Sequence, residues 1–108
     1  MRRGDVYRLA PPPGGDPKRS RCYVVVSRQT LLDSRADKVI CAPVNTAFLG
    51  LETQVPVGTE EGLKHASCVN CDQLVLIEKS RLTSYVGSLS PAKLRALRLA
   101  LRAALDVE

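Results

Sequence analysis

The chain's single histidine lies in HASCVNCDQL, residues 65–74, beside two of its four cysteines. His65, Cys68 and Cys71 are each separated by two residues, a spacing that raises a zinc reading. A structural zinc site needs four ligands, usually as two pairs. The other cysteines, Cys22 and Cys41, fall inside apolar runs that read as buried strands. If residues 67–77 form a strand, side chains alternate between its faces and Cys68 and Cys71 point apart. Val69 and Cys71 then share one face, where cysteine acts as a small core residue. Asn70 and Asp72 share the other face with Cys68. The expectation is therefore no metal and no cofactor, with Asn70, Asp72 and Gln73 as the important letters of the stretch. Their alternative role is to hydrogen-bond a neighbouring turn.

Other machinery is excluded by residue type. A Ser–His–Asp triad would have to use His65, and no nucleophile elbow surrounds it. Neither common glycine-rich phosphate loop is present. One histidine cannot serve as both acid and base. Glu60 and Glu61 have no matching carboxylates for a metal-dependent nuclease. What remains is arginine, hydroxyl, amide and carboxylate. These suit phosphoryl transfer from an internal nucleophile, as when the RNA 2′-hydroxyl attacks its own phosphodiester. The protein must then hold sugar and phosphate in line, neutralise the phosphoryl oxygens and help move two protons. Arg21 suits the charge, because its planar fork binds two phosphate oxygens. A guanidinium stays protonated, so Arg21 reads as a charge clamp and a proton donor to the 5′-oxygen. Asp72 or Asp16 would accept the 2′-proton.

The elements that must position these groups are short. The 108 residues suffice for one domain, 1–108, with one modest core. Gly4–Leu9 reads as a strand and residues 10–21 as a Pro- and Gly-rich loop carrying Asp16, Lys18, Arg19 and Arg21. CYVVVS, residues 22–27, reads as a central strand buried on both faces. Residues 29–35 allow a helical turn or two. Lys38–Val44 is a second buried strand. Thr53–Val57, broken by Pro56, belongs at an edge. Ser67–Ile77 is the longest strand candidate and Tyr85–Leu89 the last. Ser90 and Pro91 then open a helix with Leu94, Leu97, Leu101 and Leu105 along one face. Five or six strands plus one terminal helix predict a mainly β (α+β) fold, a small bent sheet or barrel closed by the helix.

Sixteen basic residues against eleven acidic ones leave a net charge of +5. That excess favours a polyanionic partner, nucleic acid or an acidic protein. No apolar run is long enough to cross a bilayer, and MRRGDVYRL lacks the apolar region of a secretory signal. The expectation is a soluble cytoplasmic protein with reduced thiols and no membrane partner.

The motifs also have a familiar order: RGDVY at 3–7, a Pro- and Gly-rich loop, R-x-Y-V-V-V-S from Arg21, CAPVNT at 41–46, GLKHASCVNCDQL, EKSRL, and a leucine-rich helix opened by LSP. This order resembles the MazF/PemK/Kid family of toxins from bacterial toxin–antitoxin pairs, over nearly the whole chain. The resemblance implies an SH3-like bent barrel of five to seven short strands with a C-terminal helix, paired as a homodimer. It implies a metal-independent endoribonuclease that cuts single-stranded RNA, often mRNA, at short sequences. It further implies a cognate MazE-like antitoxin whose acidic, flexible tail occupies the RNA groove.

Carried over by position, the family's second-strand arginine matches Arg21, although Cys22 follows where the family usually has proline. Its Thr–Ser pair falls on Asn45 and Thr46, so an amide stands where some relatives keep a functional threonine. The Asp of its CDQ motif matches Asp72. The resemblance thus implies a catalytic set of Arg21, Asn45, Thr46 and Asp72. Asp16, Lys18, Arg19, Asn70, Gln73, Lys79 and Arg81 are the expected RNA contacts. Two other readings stay open: a gyrase-poisoning toxin of the same fold, and a nucleic-acid-binding module without nuclease activity.

Overall fold

The computed structural model describes residues 1–11, 13–16 and 20–108. In chain order the elements are β1 (Asp5–Leu9), β2 (Arg21–Val25), the one-turn helix α1 (Gln29–Leu32), β3 (Lys38–Asn45), β4 (Gln54–Val57), β5 (Ser67–Asn70), β6 (Val75–Glu78), β7 (Ser84–Ser88) and α2 (Pro91–Leu105). The strands run β4-β5-β3-β2-β1-β7, with β6 also paired to β3. Each pairing is antiparallel. The long strand β3 curls the sheet. Its first half, Lys38–Cys41, pairs with β6, whereas Val44 and Asn45 pair with Val69 and Cys68 of β5. One strand edge thus serves two partners in succession, and the sheet bends into a half-barrel.

The CYVVV run is apolar throughout because both faces of β2 are covered. Cys22 and Val24 join a core with Val6, Ala42, Val55, Val69, Cys71, Leu97 and Ala100, between the sheet and α2. Val25 points the other way, into a second cluster with Tyr7, Leu9, Leu32, Val39, Cys41, Ile77 and Leu82. The helix α2 starts as its sequence predicts. Ser90 Oγ accepts from Lys93 N at 3.2 Å, and Pro91 occupies the first turn. Leu97 is fully buried, and Leu94 and Leu101 pack partly against the same core. Leu105, at the same spacing but the last residue of the helix, is 57% exposed. β4 is an edge strand, which tolerates Pro56.

The structure departs from the expected single strand over 67–77. A 3-10 turn at Cys71–Gln73 splits it into β5 and β6. Asn70 Oδ1 accepts from Asp72 N at 2.9 Å, so a local side-chain bond takes the place of the ladder. Cys71 and Val69 still reach the same core, but the chain after Cys71 turns toward the other half of the barrel. A second tight feature docks the segment after β4 on β7. Gly62 has φ +87°, and a Cβ on Gly87 would lie 2.1 Å from Glu61 O. Only a residue without a side chain allows that approach.

Candidate active site

Arg21 opens β2 opposite Leu9 of β1, with its side chain exposed. It lines a groove of about 230 Å³ together with Asn45 and Thr46 at the end of β3. Arg8, Ser20, Lys64, His65 and Ser67 complete the polar lining. The antiparallel β2–β3 pairing, with Tyr23 opposite Pro43, brings the start of β2 beside the end of β3 and so Arg21 toward Asn45 and Thr46. Arg8 of β1 faces Cys22 beside Arg21, while Asn45 faces Cys68 across the β3–β5 pair. Three cationic side chains around one small cleft favour an anionic ligand.

Arg21 also lines a larger depression of about 600 Å³, together with Asp16, Arg81, Tyr23, Pro11 and Leu76. Arg21 therefore borders both depressions. Asp16 and Arg81, expected as RNA contacts, lie in this second depression beside Arg21. Lys18 and Arg19 lie outside the described residues.

The remaining expected residues are placed elsewhere. Asp72 does not line either depression. Its Oδ2 accepts from Thr53 Oγ1 at 2.6 Å, and Cys71 N donates to Thr53 O at 3.0 Å. From Ser67, which lines the groove, the chain runs the length of β5, roughly 10 Å over three residue steps, before the turn that carries Asp72. Asn70 caps the turn described above, and Gln73 is exposed on it. Lys79 Nζ donates to Leu32 O at 2.9 Å and Ser34 O at 2.8 Å, closing the C-terminal end of α1.

His65, weighed in the sequence as a zinc ligand and as a triad member, lines the groove with Arg21. Other residues near the groove were not singled out by the sequence. Arg8 belongs to none of the quoted motifs and reaches the groove through its place in β1 opposite Cys22. Gln54 is buried and holds the loop after Thr46 with three bonds. Its Oε1 accepts from Leu49 N at 2.9 Å and Leu51 N at 3.4 Å, and its Nε2 donates to Ala47 O at 3.1 Å. The thiols are structural: all four cysteines are free and buried. Burial pushes each thiol pKa up, that of Cys41 to about 12 and that of Cys71 to about 11. Among the described residues no three His, Cys, Asp or Glu side chains gather where they could hold a metal ion. No helix among them is long and apolar enough to cross a membrane.

Residues 2–105 match the family described as PemK-like, MazF-like toxin of type II toxin-antitoxin system. The chain belongs to this toxin family. The MazF-like chain is 30% identical over 90 residues to endoribonuclease MazF3 of Mycobacterium tuberculosis, covering 83% of this chain and 86% of that one. Its fold superposes on Mycobacterium tuberculosis toxin MazF-mt6 with a TM-score of 0.81 at 26% identity, covering 96% and 98% of the two chains. A mycobacterial endoribonuclease solved in complex with its cognate antitoxin gives a TM-score of 0.83 at 25% identity, covering 100% and 97%. In this MazF-like toxin Arg21 lines the groove together with Asn45 and Thr46.

Proposed function

We propose that this MazF-like toxin is an endoribonuclease that cuts single-stranded RNA, mRNA included, at short sequences through attack of the 2′-hydroxyl. The observation that carries this reading is the convergence of Arg21, Asn45, Thr46 and His65 on one cationic groove. Arg21 clamps the scissile phosphate through two oxygens and stabilises the charge that builds on them. The Asn45 amide and Thr46 hydroxyl donate to the phosphate or the sugar and hold the attack in line. His65 supplies an imidazole, the side chain best suited to moving a proton near neutral pH. The internal nucleophile removes the need for a metal-activated water, so the reading is metal-independent.

The same groove explains an inhibitor. An acidic, flexible antitoxin tail would meet the cations that the RNA backbone meets, and the two would compete for Arg21. A mycobacterial relative was solved with its cognate antitoxin, which supports an antitoxin partner here. A homodimer is part of the reading. Ile40 and Leu76 face each other across the β3–β6 pair and are both exposed, an apolar pair suited to a second copy.

The deciding experiment is cleavage of a long single-stranded RNA by the purified protein in excess EDTA, with the product ends mapped. Discrete cuts with 2′,3′-cyclic or 3′-phosphate ends are expected. Arg21→Ala should lose at least about 100-fold in rate, the scale of one lost charge-stabilising group. No cuts by the folded wild type would refute the reading.

A further inference from the structure

We propose that Cys68 is a positioning residue for RNA cleavage, holding the Asn45 amide so that its NH2 group faces the groove. The proposal rests on the nuclease reading above. Cys68 and Asn45 are direct cross-strand partners in the β3–β5 pair. Cys68 is fully buried, and its Sγ lies 3.3 Å from Asn45 Oδ1. Its other acceptor, Ala47 O, is at 3.8 Å. A thiol can donate here, and burial pushes the Cys68 pKa up, so the group keeps its proton.

The consequence is directional. An asparagine amide has one acceptor end and one donor end. With Oδ1 taken by the thiol, the donor end is left for the groove that Asn45 lines with Arg21 and Thr46. Flipped by 180°, the amide would present an oxygen to a phosphate and repel it. Ala47 O couples the two sides of this arrangement, because it also accepts from buried Gln54. Asn45 can therefore supply a hydrogen-bond donor at a position where a hydroxyl would otherwise be needed. The buried thiol is what makes the amide equivalent to that hydroxyl.

Three substitutions separate donation from packing. Cys68→Ser keeps a donor, Cys68→Val fills the volume without one, and Cys68→Ala removes both. Each is compared with wild type for Tm, kcat and KM on the mapped RNA. Cys68→Val and Cys68→Ala are expected to lower kcat about tenfold, the cost of a mispositioned group, with KM within about twofold of wild type. Cys68→Ser is expected to recover most of that loss. In combination with Asn45→Ala, Cys68→Val should cost nothing further, since both act through one group. The Asn45 side-chain NH2 resonances should move in Cys68→Val and stay near wild type in Cys68→Ser.

Equal activity in all three variants would overturn the proposal. So would equal loss in all three, or additive loss with Asn45→Ala. Unmoved Asn45 NH2 resonances in Cys68→Val would overturn it independently of any cleavage assay. If Arg21→Ala and Asn45→Ala both cut like wild type, the site assignment itself falls. If Asn45→Ala is impaired while Cys68→Val is not, only the role of Cys68 falls.

Discussion

Thr53 Oγ1 donates to Asp72 Oδ2 at 2.6 Å, tying the start of β4 to the 3-10 turn between β5 and β6. The carboxylate expected to take part in catalysis is thereby engaged in holding two chain segments together. Asp72→Asn should keep kcat within about twofold of wild type and cost about 1 kcal/mol of stability, the worth of one such bond. Thr53→Val should match it. Urea denaturation beside the RNA assay checks both. A loss of kcat near that of Arg21→Ala, with stability unchanged, would return Asp72 to the chemistry.

His65 lies on the groove with Arg21. His65→Ala should lower kcat by about 10²-fold, the usual contribution of a positioned acid or base. Added imidazole should restore part of that rate, whereas it should do nothing for Arg21→Ala. No effect of His65→Ala would leave proton transfer to Asp16 or to solvent.

The buried thiols should lower stability at alkaline pH. Burial raises Cys41 from its ordinary 9.0 to about 12 and Cys71 to about 11. Above pH 9 the unfolded chain gives up protons that the folded chain keeps. Unfolding then releases protons, so stability falls as pH rises from 9 toward 11 and 12. Thermal melts from pH 8 to 11 should show Tm declining above pH 9. In Cys41→Val the decline should be shallower. Equal slopes would mean that other groups govern the alkaline limit.

Gly87 has the least room of any position discussed. A Cβ there would meet Glu61 O at 2.1 Å, and main chain cannot withdraw as a side-chain tip can. Gly87→Ala should cost about 2–3 kcal/mol, the range of overpacked sites. Chemical denaturation measures it directly. A change within 0.5 kcal/mol, the scale of ordinary surface substitutions, would show that the 58–63 segment can lift away from β7.

Much of the architecture was legible because it rests on local signals. Ser90 and Pro91 announce α2, Pro56 marks an edge, and the CYVVV run requires cover on both faces. The break at Cys71–Gln73 was not, because β-branched residues on both sides outweigh a turn that depends on one Asn70-to-backbone bond. The site divides in the same way. Arg21, Asn45 and Thr46 stand out as residue types in recognisable motifs. The contacts of Cys68 and Gln54 depend on which strand lies opposite, and a single chain does not declare its register. Lys79 illustrates the converse. A lysine in a basic chain suggests a polyanion, yet its ammonium is occupied by the carbonyls of Leu32 and Ser34.

Gln54 grips the 47–51 segment entirely through main-chain atoms: two amide nitrogens and one carbonyl. The side chains it carries, Phe48, Leu49 and Leu51, are exposed and contribute nothing to that grip. Loop shape and loop chemistry are therefore encoded by different residues. A lineage, or an engineer, can rewrite residues 48, 49 and 51 to change what this loop touches while the backbone path stays fixed.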